Sequence, residues 1–336
     1  MKHLLSFFIS FLMIFTPSNQ NNKSNTIYSR CYIVMDAYSK EVLEGNNIEV
    51  ARSVASISKI MTAIIALESD KLFEVVTIGD EIKDTVGSAI YLNVGERITI
   101  LDLVYGLLLR SGNDCASSIA VNVSGGIDRF VESMNLKAKE LNMVNTTFSN
   151  PSGLDIVDNG NISTCFDMAI LMSYCLENEL FCEIIHTQRY KSLDRVFINK
   201  NKLLKSYDYL IGGKTGYTYK AKRTLINAAE KDNQKIIVVT FDCGSDFSFH
   251  KQMFEKYFNN YSYLLLLKKG DNYINEYVIN VKNNIGIRLL KNKVESGLII
   301  YRINESNMTL RIEIYDKNNN YYSFGEYEIM LYKCLK

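Results

Sequence analysis

Residues Ser53–Ala63 read SVASISKIMTA. From Ser56 onward, Ile57, Ile60, Met61, Ile64 and Ile65 recur at helical spacing and form one apolar face, with Leu67 beside it. A helix bound for the core has no packing use for a hydroxyl and an amine. Yet Ser56 and Lys59 stand three residues apart, as neighbours on one helix face, and neither Ser53 nor Ser58 has a lysine at that spacing. Ser56 falls at or near the helix N-terminus, where backbone N–H groups and the helix dipole favour developing negative charge. A serine hydroxyl is a weak nucleophile until a base takes its proton. Lysine becomes that base when desolvation and nearby positive charge lower its pKa. By itself, S-x-x-K equally describes a capping serine followed by a snorkelling lysine.

Two later runs carry the same ambiguity. In LLLRSGNDCA (107–116), Ser111 and Asn113 follow an apolar helix. Ser-Gly-Asn is ordinary turn chemistry, and a loop between two helices also presents a hydroxyl and a carboxamide to a cleft. In LIGGKTGYT (210–218), Gly216 leaves room for something to approach a strand backbone closely. Lys214 adds a positive charge and Thr215 a donor suited to a carboxylate; the alternative is a strand end with a solvated lysine.

The whole chain bounds these readings. Its 336 residues suit one large domain plus a smaller one, and 47% apolar residues allow a sizeable core. A net charge of +1 argues against nucleic acid as the main partner. Lys2 and His3 precede an apolar run, Leu4–Phe15, and then a polar, Asn-rich stretch. That run is short for a bilayer span and has the layout of a secretory signal peptide, without a clear small-x-small cleavage site; an uncleaved anchor is the alternative. The seven cysteines contain no CxxC pair and read mostly as small buried hydrophobes. His186 and His250 lie in no ligand-spaced pattern, so no metal and no cofactor are expected.

Residues 31–44 read as two short strands around a polar turn at 37–40, and 101–122, 127–142 and 164–177 as helices, the last capped by Ser163 or Thr164. KRTLINAA (222–229) and KIIVVTF (235–241), joined by EKDNQ, read as a hairpin, with a closing helix over 249–260. Strands, a helical block, then strands again imply one sheet built from both chain ends with a helical insertion. Beyond about residue 262 the pattern turns to β. In MTLRIEIY, Met308, Leu310, Ile312 and Ile314 share one face.

The three runs S-x-x-K, S-x-N and K-T-G, in this order, resemble the signature set of the penicillin-recognising serine enzymes. IVMDAYSKEVLEGNN, VASISKIMTAIIALE, GSAIYLNVGERITILDLVYGLLLRSGNDCA, FSNPSGLD and GGKTGYT extend the resemblance to the low-molecular-mass D-alanyl-D-alanine carboxypeptidases, over roughly residues 31 to 260. The resemblance implies an α/β fold: a β-lactamase/transpeptidase-like antiparallel sheet flanked by helices, with a helical insertion, then a small all-β C-terminal domain. The expected division is a signal at 1–25, a catalytic domain at 26–261 and a β domain at 262–336.

It further implies that Ser56 attacks the carbonyl between two terminal D-alanines of a peptidoglycan stem pentapeptide, with Lys59 as general base. Ser111 and Lys214 would carry a proton toward the leaving D-alanine and Asn113 would hold the substrate amide. Thr215, Gly216, Tyr217 and Lys200 would contact the substrate, with an oxyanion hole from the Ser56 and Tyr217 N–H groups. β-Lactam antibiotics would acylate Ser56, and the protein would work outside the cytoplasm, at the wall or membrane face. The chain departs from the pattern at Ser152, where many relatives carry histidine, and at Lys200, where they often carry arginine. It also stops at EIMLYKCLK without the amphipathic helix that often ends relatives, which weighs against peripheral anchoring.

Three other functions compete. A class A β-lactamase needs a glutamate in an E-x-x-L-N run, and Ala89 and Ala138 occupy that position before the two Leu-Asn pairs. A catalytically silent binding protein would keep the fold without being acylated. A Ser-His-Asp hydrolase would need a G-x-S-x-G run that is absent.

Overall fold

The computed structural model describes residues 29–155, 160–274, 277–281, 284–290, 298–304, 306–315, 321–328 and 330–333. The expected signal segment and Cys334 lie outside the described residues.

The central sheet has five antiparallel strands in the spatial order Val42–Asn46, Cys31–Asp36, Gln234–Phe241, Lys222–Lys231 and Leu210–Thr218. Both chain ends therefore supply it, as the strand–helix–strand order predicts. The period-2 alternation of KIIVVTF feeds two cores. Ile237, Val239 and Phe241 face the large helical side, while Ile236 and Val238 face the other. The hairpin strands run on into EKDNQ until Lys231 pairs with Gln234. Asp232 and Asn233 make the turn with φ of 50° and 62°, as a tight two-residue hairpin requires.

Helix α1, Lys59–Leu67, runs through the large core and buries every residue except Ile65. The expected one-sided stripe is thus a helix buried all round, because other helices and the sheet surround it. Around it stand α2 (Ile100–Tyr105), α3 (Asn113–Ser124), α4 (Ile127–Glu140), α5 (Cys165–Cys175) and α6 (Glu179–His186). The Thr164 hydroxyl caps α5 by accepting from the Asp167 N–H. On the opposite sheet face lies α7, Asp246–Asn260, three residues longer at its start than the expected 249–260.

The single helix expected over 101–122 is broken. After α2 the chain makes a π-helical turn, Gly106–Arg110, and Ser111 then takes a left-handed conformation, φ 63° and ψ 34°, before α3 begins. Leu107–Leu109 pack into the core, so their hydrophobicity reads as helix, but the break projects Ser111 out of the helical register. A short hairpin, Arg189–Ser192 with Arg195–Ile198, escapes sequence reading because its polar residues alternate only over four positions.

Among the described residues, every element after α7 is a β-strand. Tyr261–Leu267 pairs with Ile285–Leu290, Gly270–Ile274 with Tyr277–Val281, and Leu298–Asn304 with Thr309–Tyr315. Leu310, Ile312 and Ile314 are buried as their alternation predicts, but Met308 is not. It is 40% exposed, with φ 53°, in the turn before the strand. This part touches the main sheet through Arg288, whose guanidinium donates to Asp36 Oδ2 at 2.5 Å and to Gln234 Oε1 at 3.4 Å. Five of the six described cysteines are buried, and Cys182 is partly so. No helix among the described residues is long and apolar enough to cross a membrane.

Candidate active site

Ser56 lies in a short 3₁₀ turn, Ala55–Ser58, one turn ahead of α1. Ala55, just before it, has φ 52°, a left-handed conformation that turns the chain sharply into the helix. Gly153 is the reason this turn packs. A Cβ on it would fall 2.1 Å from the Ala55 carbonyl oxygen. Val54 N–H donates to Asn161 O, and Ser53 Oγ donates to Asp155 Oδ2 at 2.8 Å, fixing the turn from its start.

Lys59 is fully buried, and its Nζ has three neighbours. It lies 3.0 Å from Ser56 Oγ and donates to Asn113 Oδ1 at 2.7 Å and to the Ser152 carbonyl. Burial pushes the Lys59 amine down to about 7, with the Lys200 charge acting in the same direction. A neutral amine has two N–H groups and one lone pair. The two carbonyl oxygens take the N–H groups, which leaves the lone pair facing the Ser56 hydroxyl.

The other wall is the Lys-Thr-Gly strand, an edge of the sheet. Lys214 is buried and donates to Ser111 Oγ at 2.9 Å and to the Thr215 carbonyl at 2.8 Å. Burial holds it well below the usual lysine range, with the Lys59 and Lys200 charges adding to the effect. Gly216 earns its place by proximity to the nucleophile's backbone. A Cβ there would lie 2.4 Å from Thr224 Oγ1 and 3.0 Å from Ser56 N. Thr215 is half-buried and Tyr217 is 63% exposed, so both face the opening.

Asn113 opens α3 and ties Lys59 to the segment 86–88. Its Nδ2 donates to Val86 O at 2.5 Å, and its N–H to Ser88 O at 2.7 Å. Lys200 Nζ donates to Ser88 Oγ at 2.9 Å. Partial desolvation and the nearby Arg110 charge hold the Lys200 amine below its ordinary value. The structure therefore gathers Ser56, Lys59, Ser111, Asn113 and Lys214 into one cluster, with Lys200, Thr215, Gly216 and Tyr217 around its mouth. A wider surface concavity along α7, lined by Lys251, Glu255 and Lys256 among others, holds none of them.

Sequence reading missed several supports. The Ser152 contribution is its backbone carbonyl, which side-chain identity does not reveal. Asp155 accepts from both Ser53 Oγ and Thr218 Oγ1, at 2.8 and 2.6 Å, bracing the nucleophile's turn against the Lys-Thr-Gly strand. Its signal was its place in the NPSGLD run. Beneath Lys200, Asn201 Nδ2 donates to Asn227 Oδ1, and Asn227 Nδ2 lies 3.3 Å from His250 Nδ1. His250, buried and pushed down to about 3 by desolvation, is neutral; with Nδ1 accepting from Asn227, Nε2–H donates to Thr240 Oγ1 at 3.0 Å. It is a core histidine and no ligand.

A fold of this kind, with a lysine amine beside the serine hydroxyl, defines a serine enzyme. The profile of the D-alanyl-D-alanine carboxypeptidase family matches residues 17–245, and the chain belongs to that family. It is 33% identical over 259 residues to D-alanyl-D-alanine carboxypeptidase DacF of Bacillus subtilis, covering 72% of this chain and 66% of that protein's length. A D-alanyl-D-alanine carboxypeptidase of Mycobacterium tuberculosis has a similar structure, with a TM-score of 0.66 and 29% identity over 72% of this chain and 96% of that one. Penicillin binding protein 5 of Haemophilus influenzae shares the fold, β part included, with a TM-score of 0.77 over 92% of this chain and 98% of that one, at 21% identity.

Proposed function

We propose that the protein is a serine-type D-Ala-D-Ala carboxypeptidase that removes the terminal D-alanine from peptidoglycan stem peptides outside the cytoplasm. The observation that carries this reading is the Lys59 amine. It is buried without an anionic partner among the described residues, and it lies 3.0 Å from Ser56 Oγ with both other contacts to carbonyl oxygens.

Ser56 Oγ gives its proton to Lys59 as it attacks the carbonyl of the penultimate D-alanine. The Ser56 and Tyr217 N–H groups stabilise the oxyanion. Ser111 and Lys214 pass a proton to the leaving amine of D-alanine, and Asn113 holds the amide of the stem. Thr215 and Lys200 receive the terminal carboxylate at the open side of the Lys-Thr-Gly strand. Water then enters where D-alanine has left, and Lys59 activates it against the ester. A β-lactam acylates Ser56 by the same attack, but its ring-opened amine stays tethered. The enzyme uses no metal or cofactor in this scheme. Residues 262–336 position the enzyme on its substrate and perform no chemistry; an uncleaved signal segment would add a membrane attachment.

The test is labelling with a fluorescent penicillin, together with D-alanine release from a diacetyl-Lys-D-Ala-D-Ala peptide. Ser56→Ala is expected to abolish both. A stable penicillin adduct on Ser56→Ala would overturn the assignment.

A further inference from the structure

Of the three acceptors around Lys59 Nζ, two are side-chain atoms, Ser56 Oγ and Asn113 Oδ1, and the third is the Ser152 backbone carbonyl. Ser56 lies within the 3₁₀ turn ahead of α1 and Asn113 at the start of α3, and those helical segments hold them in place. Ser152 lies in a stretch without helix or strand, SNPSGL (149–154), between α4 and α5. A rotation of its peptide plane would take the carbonyl off the amine. Lys59 is buried, so an N–H group that loses its acceptor there goes unsatisfied. Whatever aims this carbonyl therefore bears on how the base performs.

The Ser152 carbonyl and the Gly153 N–H belong to one trans peptide plane and point opposite ways. Asn150 Oδ1 accepts from that Gly153 N–H at 2.7 Å, so the carbonyl on the far side is turned toward Lys59. The same oxygen accepts from the Ser152 N–H at 3.1 Å and from the Ser152 hydroxyl at 3.0 Å, and Asn150 Nδ2 donates to the Leu154 carbonyl at 2.8 Å. One amide thus closes the loop on both sides of the Ser152–Gly153 peptide. The loop is moored in turn. Buried Asn161 accepts from the Ser149 and Asn150 N–H groups and donates to the Asn150 carbonyl. Thr62, about one turn beyond Lys59 on α1, donates from Oγ1 to the Pro151 carbonyl at 2.7 Å.

We infer that Asn150, with Thr62, positions the general base: the held Gly153 N–H aims the Ser152 carbonyl at Lys59, and that carbonyl orients the amine and then takes an N–H of the ammonium. This deepens the function proposed above and rests on it. Before attack, the Asn113 and Ser152 oxygens take the two N–H groups of the neutral amine and leave its lone pair on Ser56. Once the Ser56 proton has moved to Lys59, the ammonium has three N–H groups and meets three acceptors, Asn113 Oδ1, Ser152 O and Ser56 Oγ. Without the aimed carbonyl the amine turns about its own bond, and one N–H of the charged form is stranded in a buried site. The rate and the proton affinity of the base both fall. The ionisable groups that bear on Lys59 lie elsewhere: Cys115 and Asp114 on α3, Lys200, and Lys214 on the opposite strand. Asn150 hydrogen-bonds to none of them, so its substitution leaves them in place.

The experiment follows penicillin acylation against pH in the wild type, Asn150→Ala and Thr62→Val, with a thermal melt of each. In Asn150→Ala the plateau rate is expected to fall about 10- to 100-fold, the worth of one hydrogen bond to a charged group. The rise of rate with pH is expected to move from about 7 to roughly 6, because the charged form has lost an acceptor. Thr62→Val keeps the bulk and releases the Pro151 carbonyl; it is expected to move both quantities the same way by less, about threefold in rate. A fall in rate that is equal at every pH, with the midpoint unmoved, marks a merely structural role and overturns the positioning, as does a wild-type profile in Asn150→Ala. Should the melt show that Asn150→Ala does not fold, Thr62→Val decides alone, and an unmoved midpoint there overturns it. A wild type that penicillin does not acylate, or that releases no D-alanine from the D-Ala-D-Ala peptide, refutes the proposed function instead, and the positioning falls with it.

Discussion

The catalytic cleft and the seam between the main sheet and the C-terminal strands both bury charge, and they do so in opposite ways. At the seam, Asp36 and Arg288, with side chains 2% and 6% exposed, face each other at 2.5 Å, and backbone N–H groups of Tyr38 and Ser39 satisfy the carboxylate further. In the cleft, Lys59 and Lys214 are at least as buried but hydrogen-bond only to hydroxyl and carbonyl oxygens, with no ion pair among the described residues. A paired buried ion keeps its charge and serves as structure. An unpaired one is driven toward neutrality and becomes a base. The same expensive operation gives a rivet in one place and a reagent in the other.

The largest effect that probes this contrast is loss of the group served by the base. Ser56→Ala removes acylation altogether, as stated above. Next, Lys59→Met keeps the bulk and removes the amine. Penicillin acylation should fall on the order of 10²–10⁴-fold, measured by stopped-flow or gel labelling. The unpaired cation also predicts a pH effect. Lys59 in the folded protein is lowered to about 7, so between about 7 and the ordinary lysine value the unfolded chain binds more protons than the folded one. This group therefore makes stability rise with pH through that window, and the acylation rate should rise as pH passes upward through an apparent value near 7. Because Lys214 is coupled to it, that value belongs to the pair. Lys59→Met should lose the rise in rate and should gain most stability at the acid end. A flat wild-type rate profile from about pH 6 to about pH 10, with chemistry limiting, would break the contrast.

The seam predicts the reverse pattern. Arg288→Ala strands a buried carboxylate and should cost about 3–5 kcal/mol in a denaturant melt, with the pH profile of acylation unchanged. A protein of residues 26–261 loses the same arginine along with the covering strands. It should be less stable but still acylated at a rate within about tenfold of the full chain, because none of the described residues beyond 261 contributes a group to the cleft. A collapse by orders of magnitude in a demonstrably folded truncation would assign the strands a part in the site. The smallest effect is at the mouth. Lys200→Arg should lower KM for the D-Ala-D-Ala peptide by about two- to fivefold, since a planar fork grips a carboxylate better than a point charge.

Side-chain chemistry made the cluster legible in the sequence. Ser56 and Lys59 share a helix face because of their spacing, but the Ser111, Asn113 and Lys214 runs taken singly read as well as a turn or a strand end, and only the resemblance of the three runs in order joined them. The alternation of residues 308–314 likewise carried a C-terminal strand, since burial on one face leaves a period of two, whereas the continuous apolar run 236–239 fits a strand buried on both faces. What escaped were features without a side-chain signature. The π turn and left-handed Ser111 interrupt a run that is hydrophobic enough to pass for one helix. The Ser152 contact is a carbonyl. Met308 fits the strand's alternation, but the chain is already turning there. The Arg288–Asp36 pair joins residues 252 positions apart, beyond the reach of any local pattern.

Ala55 and Ser111 both sit in backbone conformations that glycine adopts more readily, with φ of 52° and 63°. For an engineer they are opposite cases. At position 55 the side chain is a methyl group, so glycine would relax the turn while leaving every reacting group in place. At position 111 the same relaxation would delete the hydroxyl that meets Lys214. A screen that rewards heat resistance alone would accept both changes and return, from the second, a sturdier protein with a broken proton path. Selection of this enzyme for robustness therefore has to be coupled to turnover, because the hydroxyl proposed to relay the proton is held where the backbone would prefer no side chain at all.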